Sequence, residues 1–344
     1  MPSLSLARQR GVTLVELMIA LVLGALVVLA ATAMVVTSRG TYRAQDEGTR
    51  LAESARFGLE LGNRMVRLAG YINYGDDVSV PASYQDATDV VWRIAPDSYS
   101  PIGPAIVGSN NSKPGGGAGL NGSDSLTIRY FGTSLPGTTS QSQGGPADGN
   151  ILDCAGSPVP QPKGDDTDGL SRAFNVLFVD TDVDGEPALK CRRQVYDAVT
   201  GNPKTGSAQF DTQTLIRGVE TFQVLYGELI PQGPPNDDLD NKDPQNLVYR
   251  SGIGGPNPVV DWSHVQSVKI AMLLRSATGA RPEPEPTTKV YSLFGTIYPA
   301  SSDPGATFSL AALNTAERTR VRRVVETTVF VRNRMRTVPT LQQP

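Results

Sequence analysis

The sequence predicts an α+β chain in which one long N-terminal helix lies over an antiparallel β-sheet with long loops. Three observations carry this. Residues 12–36 are apolar apart from one charge, Glu16. No proline occurs between residues 12 and 70. Beyond Gly70, five short runs alternate apolar and polar residues between loops rich in Gly, Pro, Asp and Ser, the period-two signature of strands with one buried face.

Composition narrows the function before any motif is read. The chain has 344 residues, 35 Gly and 26 Pro, so turns and loops take a large share. Its 31 basic and 34 acidic residues give a net charge of −3, which leaves no strongly basic surface for phosphate-dominated nucleic-acid binding. One His and two Cys leave almost nothing for a zinc site. No cofactor is expected.

The first element is the apolar helix. At about 1.5 Å per residue, residues 12–36 make roughly 37 Å of helix, enough to cross a bilayer core of about 30 Å. A polar leader, residues 1–11, carries Arg8 and Arg10. A secretory signal peptide is the plain alternative, but its apolar core runs to about 7–15 residues and closes on an A-x-A-like site. A simple anchor has no use for Glu16, since an unpaired carboxylate in lipid costs several kcal/mol.

Helical periodicity continues past the membrane. Leu51, Ala55, Leu59, Gly62, Val66 and Ala69 form one apolar stripe, and Arg50, Glu53, Arg56, Glu60, Arg64 and Arg67 occupy much of the opposite surface. The spacing predicts a single helix from 12 to about 69, amphipathic over 37–70. Gly40, Gly48, Gly58 and Gly62 are expected to weaken it locally, by up to about 1 kcal/mol each.

Residues 71–344 are predicted to form a β-rich domain. Leu126, Ile128 and Tyr130 share one face, as do Phe174, Val176 and Phe178, and Phe222, Val224 and Tyr226. Val268, Ile270, Met272 and Leu274 oppose Ser267, Lys269 and Arg275, and Val325, Thr327, Val329 and Val331 oppose Glu326, Thr328 and Arg332. The amphipathic half of the helix is the natural cover for one sheet. Segments 108–123 and 132–150 read as mobile loops.

The segment Gly11-Val12-Thr13-Leu14-Val15-Glu16-Leu17, behind its basic leader, resembles the class III signal of type IV prepilins and pseudopilins. That resemblance implies cutting by a prepilin peptidase between Gly11 and Val12 and N-methylation of Val12, and inner-membrane insertion with the domain in the periplasm before display on a surface pilus. It also implies that Glu16 pairs with the α-amine of a neighbouring subunit in a low-dielectric filament core. The family usually has Phe or Met where this chain has Val12, a conservative departure. Blocks at 67–71, 217–227, 262–276 and 322–334 further resemble PilW-type minor pilins, so the likeness spans most of the chain and implies a pilin-like fold. It implies a non-enzymatic subunit that primes or supports type IV pilus assembly with other minor pilins and the major pilin. A J-type minor pseudopilin of type II secretion and a pilus-tip adhesin or DNA receptor are the alternatives.

Candidate chemistry is sparse. Cys154 and Cys191 fall in the exported part, where an even cysteine count reads as a disulfide; two free thiols are the alternative. Asp180, Asp182 and Asp184 match the first half of an EF-hand loop, but Cys191 stands where the bidentate Glu belongs. The run reads as a carboxylate-dressed turn, with a calcium site as the alternative. Asp165, Asp166 and Asp168, and Asp237, Asp238, Asp240 and Asp243, read as solvated loops. Ser263 and His264 invite a hydrolase reading, yet there is no G-x-S-x-G elbow and neighbouring strand residues face opposite ways. Arginines 318, 320, 322, 323, 332, 334 and 336 read as a solvated basic face or a partner contact.

Overall fold

The computed structural model describes residues 12–71, 104–135, 145–161, 172–231, 245–259, 261–295, 298 and 302–333. The leader with Gly11, the acidic runs at 165–168 and 237–243, and Arg334 and Arg336 lie outside the described residues.

Helix α1, Leu14–Leu68, is continuous over 55 residues, about 80 Å at the usual rise. Its C-terminal half packs on the domain through Leu51, Ala55, Leu61, Met65 and Val66. Two of the four glycines read as weak points are contact positions instead. A Cβ on Gly58 would stand 2.8 Å from Ile216 Cδ1 and 2.9 Å from Met272 Cε, and one on Gly62 would stand 3.0 Å from Ile270 Cδ1. Gly40 and Gly48 face open space. The helix stops at Gly70, whose φ of +71° suits a residue without a Cβ. The Gly70 N–H donates to the Arg129 carbonyl at 2.9 Å, and Asn333 Nδ2 donates to the Arg67 carbonyl at 2.8 Å.

Eleven strands appear among the described residues, and they form two main sheets where one was expected. Strands β1 (Ile106–Ser109), β2 (Ser125–Tyr130), β3 (Ala173–Thr181), β4 (Pro187–Gln194) and β5 (Phe210–Arg217) pair antiparallel in that order. Strands β6 (Val219–Pro231), β7 (Gln245–Arg250), β8 (Val265–Gly279) and β11 (Arg320–Phe330) form the second sheet in the order β11-β8-β6-β7. β9 (Val290–Ser292) and β10 (Thr307–Ser309) make a small pair. One short helix, α2 (Thr315–Arg318), precedes β11.

The expectation of one buried face also needs correcting. Val268, Ile270, Met272 and Leu274 of β8 face the main core with α1, while Ala271 and Leu273 pack on the other side with Leu225, Leu293 and Phe294. The segment after β8 folds back over the face that the sequence pattern leaves to solvent. On β3 the aromatic face is likewise not the main-core face. Phe174, Val176 and Phe178 cluster with Phe210, and it is Leu177 and Val179 that join the core under α1. Segment 108–123, expected to be a mobile loop, is instead tied down. It begins in β1, Asn110 N–H donates to the Ile253 carbonyl at 2.8 Å, and Ser112 N–H donates to the Ser123 carbonyl at 3.0 Å.

The chain changes sheets at one residue. Gly218, with φ of +80°, separates β5 from β6. Its N–H donates to the Pro187 carbonyl of the first sheet and its carbonyl accepts from Arg275 N–H of the second, both at 2.7 Å. A Cβ there would lie 2.5 Å from the Arg275 oxygen, so the corner requires glycine twice over.

Beside this corner lies a charged network. The Glu220 carboxylate, 1 % exposed, takes a bidentate pair from Arg322, with Nε at 2.7 Å and the second nitrogen at 3.0 Å. Arg275 reaches Glu220 at 3.3 Å, Glu317 at 2.6 Å and Glu186 at 2.7 Å, and Arg320 reaches Glu186 at 2.9 Å and Glu317 at 3.2 Å. Arginines 320 and 322, read from the sequence as a solvated or partner-facing surface, are therefore interior ion-pair partners. Arg318 donates to the Glu285 carbonyl.

A second polar joint closes the free edge of β6. Asp124 N–H donates to the Phe222 carbonyl, and the Asp124 carboxylate accepts from Val224 N–H at 2.9 Å and Asn111 N–H at 3.0 Å. Asn121 Nδ2 donates to the Glu220 carbonyl at 2.8 Å. A loop of the first sheet thus substitutes for a neighbouring strand of the second. Burial pushes the Asp124 carboxyl well above the ordinary range; the two N–H donors oppose this and the charge of Asp303 adds to it.

Two outcomes are expected. Glu220→Ala leaves Arg322 buried without its carboxylate and should cost about 3–5 kcal/mol in chemical denaturation of the detergent-solubilised chain. The Glu220→Leu/Arg322→Met double variant should lose less than the two single variants summed, because no orphan charge remains. For Asp124 the folded-state pKa lies above the unfolded one. Its contribution is full below the ordinary aspartate value of about 3.9 and is lost as pH rises through the raised value. The melting temperature of the intact chain should therefore rise relative to Asp124→Asn as pH is lowered from neutrality. Parallel pH profiles would contradict this.

Candidate functional site: the helix start and the charged joints of the domain

The N-terminus of α1 is built by two side chains. Thr13, extended at φ −72° and ψ 153°, is the N-cap, and its Oγ1 accepts from Glu16 N–H at 3.3 Å. In return Glu16 Oε2 accepts from Thr13 N–H at 2.9 Å and from Thr13 Oγ1–H at 3.0 Å. This is a capping box, and it satisfies donors that the first helical turn leaves without partners. The T-x-x-E spacing could have disclosed it, but the sequence reading weighed Glu16 only as a partner for another chain. Both bonds use Oε2, and Oε1 of Glu16 makes none among the described residues. The carboxylate can therefore cap its own helix and still offer an oxygen to a cation.

Beyond the box, the side chains of residues 14–36 are exposed, and none packs on the domain. The hydroxyls of Thr32 within this stretch and Thr37 just past it are internally satisfied. Thr32 Oγ1 donates to the Leu29 carbonyl and Thr37 Oγ1 to the Ala33 carbonyl, both at 2.9 Å. Such back-bonding lets threonine sit in an apolar segment without an unpaired group. By length and apolarity the helix can cross a membrane.

Cys154 and Cys191 form a disulfide with their Cα atoms 6.3 Å apart, both buried. It fastens loop 151–159 to the middle of β4, closing 37 positions of chain, worth about 3–4 kcal/mol in the chain-entropy picture. The same loop meets α1, since Arg64 donates to the Asp153 carbonyl at 2.8 Å. Arg193 bridges the carboxylates of Asp153 and Asp211 at 3.0 and 3.2 Å. Arg64, read as part of a solvated face, thus fixes the end of the helix to the disulfide loop.

From the sequence, Asp180, Asp182 and Asp184 read as a carboxylate-dressed turn, with a calcium site as the alternative. The three lie on the β3–β4 hairpin, turned at Gly185 with φ of +82°. Each carboxylate is occupied by a cation of the chain. Asp180 meets Lys113 at 3.0 Å, Asp182 meets Arg217 at 3.1 Å and Lys190 at 3.9 Å, and Asp184 meets Arg217 at 2.9 Å. Burial pushes Asp180 up, but Lys113, Thr181 N–H and Lys190 together hold it below the ordinary range. Backbone hydrogen bonding at Val183 lowers Asp182; desolvation opposes it, and Thr214, Arg217 and Lys190 add to the lowering. Among the described residues no group of three or more His, Cys, Asp or Glu is arranged to hold a metal ion.

His264 sits in a one-turn 3₁₀ helix, Trp262–His264, where its N–H donates to the Asp261 carbonyl at 3.1 Å. Its Nδ1 stands 3.7 Å from the Asp261 carboxylate. This local turn leads directly into β8.

Two family descriptions match the chain. The prokaryotic N-terminal methylation motif covers residues 6–32, which includes the capping box and most of the exposed helix. Type IV Pilus-assembly protein W covers residues 176–333, from within β3 to just past β11, and takes in every member of the Glu220 network. No curated protein compared with the chain matches it. Among solved structures, the chain is similar to a type IV-like pilin from Thermus thermophilus at 15% identity, over 83% of this chain and 99% of that one, with a TM-score of 0.30. An uninterrupted helix with an exposed apolar half and a prepilin-type methylation motif thus stand ahead of a stretch, residues 176–333, that matches the PilW family of type IV pilus-assembly proteins.

Proposed function

We propose that the chain is a minor pilin. A prepilin peptidase cuts between Gly11 and Val12 and methylates Val12. Residues 12–36 hold the subunit in the inner membrane, with the domain in the periplasm. The mature helix then enters the filament core, where the subunit joins other minor pilins to prime polymerisation of the major pilin. The observation that carries this reading is the helix start. Glu16 caps its own helix through Oε2 and keeps Oε1 open, at the head of an apolar segment that the domain leaves uncovered. A cationic α-amine from a neighbouring subunit is the complement such a carboxylate calls for in a low-dielectric core, where pairing matters most. The PilW match favours this reading over a type II secretion pseudopilin. The role is structural, with no catalytic residue assigned.

A deletion strain that also lacks the retraction motor tests the role directly. Electron microscopy should show few or no surface pili, with recovery on return of the intact gene. Normal piliation together with lost protein secretion would make the chain a pseudopilin instead.

Glu16→Ala separates processing from assembly. The variant should still be cleaved at Gly11, read as the mass of the mature chain, and should fail to restore piliation. Full piliation by the variant would remove Glu16 from subunit pairing.

A further inference from the structure

The helix between the apolar run and the domain has a charge order of its own. Arg39, Tyr42 and Arg43 are spaced i, i+3, i+4, so they share one face of α1, and all three are exposed, Tyr42 to 72 %. Among the described residues neither arginine has an ion-pair partner. One turn further on stand Asp46 and Glu47, and Asp46 is taken by Arg50 at 3.2 Å. Along the helix axis, then, two free cations and a tyrosine come first and two carboxylates follow.

The distances match a bilayer surface. Val36 ends the apolar run, and at about 1.5 Å per residue Arg39 lies roughly 5 Å and Arg43 roughly 10 Å beyond it. The headgroup layer is about 5–7 Å thick on each side of the hydrocarbon core. Side chains on a helix lean toward its N-terminus, here back toward the membrane, and arginine is long enough to bring its guanidinium down from above. Tyrosine is the residue type that settles at this boundary. The first turn to reach water therefore offers donors and positive charge to phosphate oxygens, and the carboxylates are held one turn farther out.

We propose that Arg39, Tyr42 and Arg43 form a collar that docks on the headgroup phosphates of anionic phospholipids and sets the depth at which the subunit waits in the membrane. The collar rests on the reading of residues 12–36 as a membrane span. It gives extraction into a filament an electrostatic component, since the two arginines must give up their phosphates as the helix leaves.

The test uses the full chain carrying Gln45→Cys with an environment-sensitive fluorophore; the native cysteines are joined to each other and do not react. The labelled chain is reconstituted into vesicles of phosphatidylcholine alone, or of phosphatidylcholine with phosphatidylglycerol. Flotation first establishes that it is inserted. With phosphatidylglycerol the emission should shift to the blue and iodide quenching should fall. Both changes should be lost at high salt and in the Arg39→Gln/Arg43→Gln double variant. Emission and quenching that are the same in both vesicle types, or a shift that survives in the double variant, would overturn the collar while leaving the span intact. A chain that floats with neither vesicle would overturn the span and the collar with it.

Discussion

The domain depends on the corner at Gly218 and on the carboxylate two residues later. Two antiparallel sheets of this size have many ways to slide past one another, because apolar burial is not directional. Gly218 removes that freedom by bonding to both sheets within a single residue. Glu220 then collects Arg322 from β11 and Arg275 from β8, and Arg275 reaches across to Glu186 on the hairpin of the other sheet. Ion pairs as buried as Glu220–Arg322 add little net stability over an apolar core, but they penalise any arrangement that separates their members. The network therefore selects one packing of the two sheets. The Asp124 loop works in the same direction, filling the β6 edge that β7 leaves open.

That fixed domain surface gives the helix its position. Gly58 and Gly62 let Ile216, Ile270 and Met272 approach the α1 backbone, so the helix lies close in a shallow seat. Gly70 and Asn333 stop it, and Arg64 links it to the loop held by the Cys154–Cys191 disulfide. A helix gripped along one half and free of proline throughout transmits that grip to its other half. The capping box at Thr13 and Glu16 secures the far end, where no domain contact is available.

Much of this was legible in the sequence, for identifiable reasons. The 55-residue helix follows from an unbroken apolar and then amphipathic pattern with no proline, and the five strands read from alternation are all present. Alternation reports that residues share a face, not which sheet they join or what covers it. Hence two sheets were read as one, and the aromatic face of β3 was assigned to the wrong side. β4 and β5 escaped notice because they are rich in Lys, Arg, Thr and Gln, and they hold their place through Leu189, Cys191 and Ile216. The strand arginines were read as solvated because their partners, Glu186, Glu220 and Glu317, come from distant parts of the chain. The cations that meet the hairpin aspartates were hidden for the same reason, since Lys113 and Arg217 reach them from other elements. Thr13 was the one omission that local spacing could have prevented.

The first buried side chain on the helix is Leu51. From Val36, the end of the apolar run, to Leu51 the helix rises roughly 22 Å. In a membrane-spanning chain the first side chain buried against the domain would then stand about 20 Å from the hydrocarbon, beyond a stalk formed by residues 37–50. Most of that stalk is exposed, and among the described residues only its last turn, at Glu47 and Arg50, comes beside β5 and β8. The Asp46–Arg50 pair and the hydroxyls of Thr41 and Thr49, donated to carbonyls one turn back, supply local bonds in place of packing. If residues 12–36 span the membrane, the first turns of the stalk are the described part of the helix nearest the headgroups.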